Sequence, residues 1–348
     1  MRGSSSTSNS KFISLAALAF AVLLAAFAVK LGALYEEASA HNKINAWNHR
    51  RFGEFYELGE NTLDLVFVGS SHSYCTFDPE LFDTLLGVTS YQLGMPLQHP
   101  DSTYYTLLEV LKYHRPSVVV MELYWDMMKD PFNLVQAASL FEVLRDPATV
   151  ADYIENVFPL SERVKYSLPF VRYQPDFFAY RSSLLLKYLE ESLGYKKLIE
   201  ETPGEERYKP GGFMYCTFNI PEAKYTYANQ FLNLDGKKWD FAPAQQKYVR
   251  LIAELCAEND IALVFVTAPV ANVSMGYIKN YGRIHGIVLD FAAELGVPYI
   301  DYNVVNTETD LLTNENFRDD AHLNYSGALI VGEHFAKWLS EVTGIGGK

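Results

Sequence analysis

Cysteine is scarce in this chain, with three residues in 348: Cys75, Cys216 and Cys256. Thiols so few and so scattered cannot build a zinc knuckle or a disulfide framework, and at most one disulfide could form. Basic runs are absent too, and 42 acidic against 29 basic side chains leave a formal charge of −13. That balance excludes nucleic-acid binding through phosphate contacts. There is no fixed-period repeat, heptad array or collagen-like pattern. No His/Asp/Glu cluster stands at metal-ligand spacing and there is no glycine-rich phosphate loop, so neither a metal nor another cofactor is expected. What the chain does have is apolar substance, 49% hydrophobic and 14% aromatic. A chain of this length and composition can bury a full core and is not disordered.

The N-terminus decides the compartment. Phe12 to Val29 carries no charge, and Ser14 is its only polar residue. A helix needs about 20 apolar residues to cross a bilayer, and Lys30 can snorkel at the end of this one. Arg2 and Lys11 precede the segment, so the positive-inside rule keeps the N-terminus cytoplasmic. The expectation is a single-pass cell-membrane protein whose remainder lies outside the cytoplasm. Ala38-Ser39-Ala40 also fits a signal-peptide cleavage site, although the apolar run exceeds the usual core of about 7–15 residues. Both readings export the domain. The expected organisation is a tail and anchor over 1–35, a stalk over 36–60, and one domain over 61–348.

Five short apolar runs mark that domain: Leu63–Val68, Thr89–Leu93, Ser117–Leu123, Ala262–Thr267 and Val297–Asp301. Runs without polar alternation suit parallel strands buried on both faces. Helical stretches separate them. Asp78 can cap a helix that opens with Pro79 and ends near Gly87. Asp101 or Ser102 opens Thr103–Tyr113; Pro243–Glu258 is amphipathic, and Ser326–Val342 closes the chain. The alternation predicts an α/β fold, a parallel sheet with helices on both faces. Between about 126 and 242 the rhythm breaks into an aromatic-rich insertion, expected to pack over one end of the sheet, with short helices at Ser139–Leu144 and Ser182–Leu193. Its aromatics could line a sugar or acyl site, or simply form its own core.

Two segments could carry chemistry. The first strand runs into Gly69-Ser70-Ser71-His72, which puts a serine hydroxyl on a tight turn at the sheet's carboxyl edge, where open α/β folds bind ligands. Near the C-terminus stands Arg318-Asp319-Asp320-Ala321-His322. A serine becomes a nucleophile when a base takes its proton and a third group holds that base, and an Asp three residues before a His can do so within one turn. Ser71 and His322 are predicted on the same rim. His72, on the turn, and His99, on the loop after Gly94, could line the site or be ordinary loop histidines. Cys75 has no evident activating partner and reads as a buried thiol.

Gly69-Ser70-Ser71 and Asp319-x-x-His322 resemble blocks I and V of the SGNH (GDSL-type) hydrolase superfamily, and Gly94 stands where its block II glycine belongs. His322-Leu323-Asn324-Tyr325-Ser326-Gly327-Ala328 is similar to a membrane-anchored subgroup that includes the D-alanyl-lipoteichoic acid biosynthesis and alginate O-acetylation proteins. The resemblance covers roughly 62–123 and 247–340 and implies a three-layer α/β/α sandwich. It also implies Ser71 as nucleophile, His322 as general base and Asp319 as its orienting acid, with Asp320 one residue off the motif. Oxyanion donors would be the Ser71 and Gly94 N–H groups. The family's asparagine block is replaced by Met121-Glu122-Leu123-Tyr124-Trp125, and losing one donor costs about 10²–10³ in rate unless Tyr124, Trp125 or an insertion residue substitutes. The implied activity is O-acyl transfer or ester hydrolysis on acetyl or D-alanyl esters of a cell-surface glycan or teichoic-type polymer, with a membrane-bound O-acyltransferase as partner. The alternative is an inactive scaffold of the same fold that binds polymer or that membrane partner.

Overall fold

The computed structural model describes residues 6–40, 43–177, 183–194, 206–220 and 228–347. They form two compact units, one from Met1–Ala46 and Phe158–Glu200, the other from Trp47–Val157 and Glu201–Lys348.

The second unit is built on a parallel sheet of β1 (Leu65–Val68), β2 (Ser90–Gln92), β3 (Val118–Glu122), β6 (Ala262–Thr267) and β7 (Tyr299–Asp301), in the order β2-β1-β3-β6-β7. The two remaining strands, β4 (Arg207–Lys209) and β5 (Phe213–Tyr215), form a separate antiparallel hairpin. All five expected strands are present, each within two residues of its expected ends. β1 and β3 are buried along their whole length, as strands covered on both faces must be. On one face Leu65, Phe67, Val118, Val120, Val264 and Val266 join a core with Phe77, Phe82, Tyr302, Phe335 and Leu339. The helices Pro79–Leu86 and Tyr325–Thr343 pack together there. On the other face Val66, Val68, Val119, Met121 and Phe265 are buried, and helices Pro100–Tyr113 and Pro243–Glu258 pack on each other, the latter against β6. The result is an α/β/α sandwich.

From β1 the chain first builds outward to β2, then crosses back to β3 and continues to β6 and β7. The order therefore reverses between β1 and β3. Loops leaving the carboxyl ends of those two strands diverge there and open the crevice that open α/β sheets use for ligands.

Several expected elements shift. The helix expected from Thr103 begins at Pro100, because proline's fixed φ suits the first helical position; Asp101 and Ser102 instead bond to Gln245 and Gln136. The helix expected at Ser139 starts at Leu134, where the Asn133 side chain accepts the Gln136 N–H. Residues 36–60, expected as a stalk or short helix, are helical over most of their length. The long helix Ser6–Ala40 runs through their start, and Lys43–Glu57 is a helix whose Arg51, Phe52 and Phe55 are buried. Arg51 Nε donates to the Gly212 carbonyl at 2.8 Å, and Gln92 N–H donates to the Gly211 carbonyl at 2.9 Å. The β4–β5 turn thus covers the edge strand β2, which would otherwise stand open to another chain. At Gly212, φ is +91° and a Cβ would meet the Gln92 carbonyl oxygen at 2.1 Å, so only glycine fits this close approach. The three cysteines are buried and unpaired.

The middle of the insertion belongs to the other unit. Helices Leu160–Ser167, Pro169–Arg172, Gln174–Phe177 and Leu184–Ser192 gather with the long N-terminal helix. Ser182, the expected start of the last of these, lies outside the described residues. Phe12–Ser39, with mean hydropathy 2.7, is long and apolar enough to cross a membrane.

Phe335 is fully buried against Phe77, Phe82 and Tyr302, with ring centroids 5.0, 6.0 and 6.2 Å away. Phe335→Ala is expected to cost about 3–5 kcal/mol, measured as a lowered unfolding midpoint. An unchanged midpoint would show that this face does not hold the sandwich together.

Candidate active site

β1 ends at Val68, and the chain turns at Gly69 and Ser70 into the helix Ser71–Thr76. Gly69 adopts φ +140°, and a Cβ there would meet the Glu122 side chain at 2.7 Å, so the turn needs glycine twice over. Ser70 caps the helix, its Oγ accepting the His72 N–H at 3.2 Å. Ser70 also donates both its N–H and its Oγ–H to Glu122 Oε2, at 2.9 and 2.8 Å. The last residue of β3 thereby clamps the turn after β1.

Ser71, first in that helix, places Oγ 2.8 Å from His322 Nε2. His322 Nδ1 lies 3.0 Å from both carboxylate oxygens of Asp319. Asp319 Oδ1 accepts the Ala321 and His322 N–H groups at 2.8 and 2.7 Å, which fixes the carboxylate behind the ring. Burial alone would raise the Asp319 pKa. The His322 charge and hydrogen bond, the Arg318 guanidinium and the Ala321 N–H outweigh it and hold the acid well below the usual carboxylate range. Asp319 is therefore an anion at neutral pH, able to steady a protonated imidazole.

Asp320 faces elsewhere. Its carboxylate accepts the Gln230 N–H and side-chain amide at 2.7 and 2.8 Å, and its carbonyl accepts the Ser274 hydroxyl at 2.6 Å. It ties the end of the insertion to the loop and has no hydrogen bond to His322.

The other predicted positions divide. His72 is buried, stacked on Tyr124 with centroids 4.0 Å apart, and its ring lies 4.6 Å from that of His322. Burial first, then the neighbouring His322, holds its pKa well below the ordinary value, so it is neutral. Tyr124 is buried with no partner for its hydroxyl among the described residues, and burial pushes its pKa well up, so it remains a donor. Trp125 is core: its ring packs on Tyr281 and Phe231, its carbonyl accepts the Trp239 indole N–H at 2.9 Å, and its own indole N–H has no partner among the described residues. His99 is fully buried, with Nδ1 2.8 Å from the Leu97 carbonyl, and shares no hydrogen bond or ring contact with the relay among the described residues.

The two oxyanion candidates differ. Among the described residues the Ser71 N–H donates to nothing. The Gly94 N–H, by contrast, is already spent on Gln92 Oε1 at 2.7 Å, so it is closed to a substrate oxygen unless Gln92 swings away. Gly94 still sits where a glycine is needed, since a Cβ would come within 3.1 Å of the Gly69 and Ser70 carbonyl oxygens. Gln92 is held in turn by Ser73, whose carbonyl accepts its amide at 3.0 Å. Cys75 is no rival nucleophile, because burial pushes its thiol pKa far up.

Sequence reading passed over Glu122, Gln92 and Arg318. The only signal was an acid closing an otherwise apolar strand and an arginine just before Asp319. Burial pushes the Glu122 carboxyl up to about 7, against the two Ser70 hydrogen bonds that pull it down, and its Oε1 has no partner.

No protein-family model matches this sequence, and no curated protein matches it. Among solved structures, the chain is similar to a protein assigned to the G-D-S-L lipolytic family from Desulfitobacterium hafniense. The identity is 10% over 78% of this chain and 97% of that one, with a TM-score of 0.38. A protein described as an acylhydrolase from Bacteroides fragilis gives 10% identity, 84% and 95% coverage and a TM-score of 0.39. An acetyl xylan esterase gives 12%, 79% and 98%, with a TM-score of 0.32. At such distances, what this site can do rests on its own geometry.

Two outcomes follow from that geometry. Asp319→Asn is expected to keep the fold but favour the wrong imidazole tautomer, lowering ester turnover by up to about 10⁴. Asp320→Asn is expected to cost far less, and equal losses in both variants would show that the acid is shared. Glu122 links stability to pH, because the folded chain holds its proton more tightly than the unfolded chain does. The Glu122 contribution to stability is then full below the ordinary carboxylate range, is lost as pH rises towards about 7, and is absent above. Thermal midpoints between about pH 5 and about pH 8 are expected to show this slope, and Glu122→Gln to flatten it. An equal slope in both would remove Glu122 as its source.

Proposed function

We propose that this protein is a membrane-anchored serine esterase or O-acyltransferase of SGNH type, working through an acyl-Ser71 intermediate. One observation carries the reading: Ser71 Oγ, His322 and Asp319 stand in hydrogen-bonded sequence at the carboxyl edge of β1. In the first step Ser71 Oγ attacks the ester carbonyl carbon while its proton passes to His322 Nε2. Asp319 stabilises the imidazolium, and the Ser71 N–H faces the developing oxyanion. Collapse of the tetrahedral adduct breaks the bond to the alcohol, which leaves with the proton from His322. A second oxygen nucleophile, water or a sugar hydroxyl, then attacks the acyl carbon as His322 takes its proton; the acyl–Oγ bond breaks and His322 returns that proton to Ser71 Oγ. Hydrolysis and transfer use the same residues and differ only in that acceptor.

The N-terminal helix supports attachment to the cell membrane, and Arg2 and Lys11 before it favour a cytoplasmic N-terminus with the serine site outside. Esters within reach of such an enzyme are acetyl or D-alanyl groups on envelope polysaccharide or teichoic-type polymers. A membrane-bound O-acyltransferase would supply the acyl group if the reaction is transfer.

Mass spectrometry of the full chain exposed to an activated acetyl ester tests the reading. One acetyl group is expected on Ser71, and Ser71→Ala is expected to lose both the adduct and turnover, by roughly 10⁴–10⁶. Undiminished turnover in Ser71→Ala would reject the reading, and no adduct and no turnover in the unaltered chain would leave the inactive scaffold.

A further inference from the structure

The unit that holds the N-terminal helix leaves a large apolar surface uncovered. On the helix Leu160–Ser167 and the residue after it, Leu160, Val164 and Leu168 recur every fourth position and are 78, 63 and 51% exposed. On Leu184–Ser192 and the following residue, Leu186, Leu189 and Leu193 fall at i, i+3 and i+7 and are 44, 45 and 73% exposed. Such spacing makes one stripe along each helix, and stripes of this kind on a soluble surface mark an interaction site.

Contacts within the unit fix the level of these stripes along the long helix. Gly32 lies so close to the Pro169–Arg172 helix that a Cβ would meet Phe170 N at 2.9 Å. Arg172 pairs with Glu36 at 2.8 Å, the Tyr35 and Tyr173 rings stack at 5.6 Å, and the Tyr188 hydroxyl donates to Glu37 at 2.8 Å. Counted from Phe12 at about 1.5 Å per residue, a hydrocarbon core of about 30 Å ends near Leu31. Every one of these contacts falls within the next six residues, Gly32 to Glu37, where a spanning helix meets the headgroups.

We propose that the helices Leu160–Ser167 and Leu184–Ser192 form a collar that lies in the outer membrane–water interface, their leucine stripes inserted among the lipid acyl chains around the exit of the anchor. The occupant is lipid because the stripes belong to one compact unit with the anchor and meet it where its apolar run ends. Insertion is hydrophobic rather than electrostatic. Between 160 and 193 Arg163, Lys165, Arg172, Arg181 and Lys187 stand against Glu162, Asp176, Glu190 and Glu191, a near balance that makes anionic lipid unnecessary. Short amphipathic helices of this type bury their apolar face at the headgroup–acyl boundary.

This inference rests on the anchored reading above, and the test separates the two. Single cysteines replace Val164, Leu189, Lys187 or Phe20 in the full chain, whose own three thiols are buried. Each carries an environment-sensitive dye in zwitterionic bilayers with or without brominated lipid. Val164→Cys and Leu189→Cys are expected to shift to the blue and lose emission to the bromine, while Lys187→Cys, exposed and turned at least about 100° around the helix from each leucine of the stripe, loses much less. Phe20→Cys reports the anchor itself. Quenching at Phe20 with none at 164 and 189 would overturn the collar and leave the anchor standing. No quenching at Phe20 would overturn the anchor and the collar with it. Shielding of 164 and 189 in native membranes but not in pure lipid would assign the stripes to a membrane protein and overturn the lipid assignment.

Discussion

A parallel sheet cannot leave either face wet, and this requirement organises the sheet-bearing unit. Every strand of the sheet must be followed by a crossover that returns over one face, so all carboxyl ends point to the same rim. The core around Phe67, Val120, Val266 and Phe335 meets the requirement on one side, and the Pro100–Tyr113 and Pro243–Glu258 helices meet it on the other. Because the crossovers diverge on either side of the β1–β3 pair, the rim opens there. Ser71 leaves β1 at that opening, and the loop bearing His322 reaches it from the far end of the chain.

The rim is made rigid by polar groups that touch no substrate. Glu122 holds Ser70 by two hydrogen bonds, and Gly69 lets the strands approach closely enough for it to do so. A buried carboxyl is costly when charged, which is why the Glu122 pKa rises although both Ser70 hydrogen bonds favour its anion. Asp319 shows the reverse balance. It is also mostly buried, yet an imidazole, a guanidinium and two N–H groups favour its anion. Two carboxyls in one region are thus shifted in opposite directions, Glu122 by burial and Asp319 by the charges and donors around it. Gln92 adds a further control, since its amide oxygen occupies the Gly94 N–H. Oxyanion binding by Gly94 would require that amide to move, whereas the Ser71 N–H is ready as it stands.

The insertion serves two structures. Its flanks complete the sheet unit: the Gly211–Gly212 turn covers the edge of β2, and Gln230 holds Asp320 away from His322. Its middle gathers with the long N-terminal helix. The aromatic richness therefore reflects two separate cores, with Tyr153 buried in one and Tyr173 stacked on Tyr35 in the other.

By itself the sequence determined the sheet. Apolar runs locate β1, β3 and β6, because strands buried on both faces leave few polar positions, and the shorter runs at β2, with Ser90 and Gln92 in it, and at β7 complete the set. Asp78, Pro79 and Gly87 bound their helix because capping and left-handed termination are local chemistry. Asp319 and His322, three residues apart, were likewise legible as a pair, since one turn of chain sets their distance. What only the tertiary structure decided depends on groups far apart in sequence. It placed Ser71 Oγ against His322, turned Asp320 towards Gln230, closed Gly94 with Gln92 and buried His99 and Trp125. It also drew residues 47–57 into the core and divided the insertion between two units. No local pattern encodes which distant side chain will satisfy a buried polar group. That choice is made by whatever partner the packed chain brings within hydrogen-bond reach.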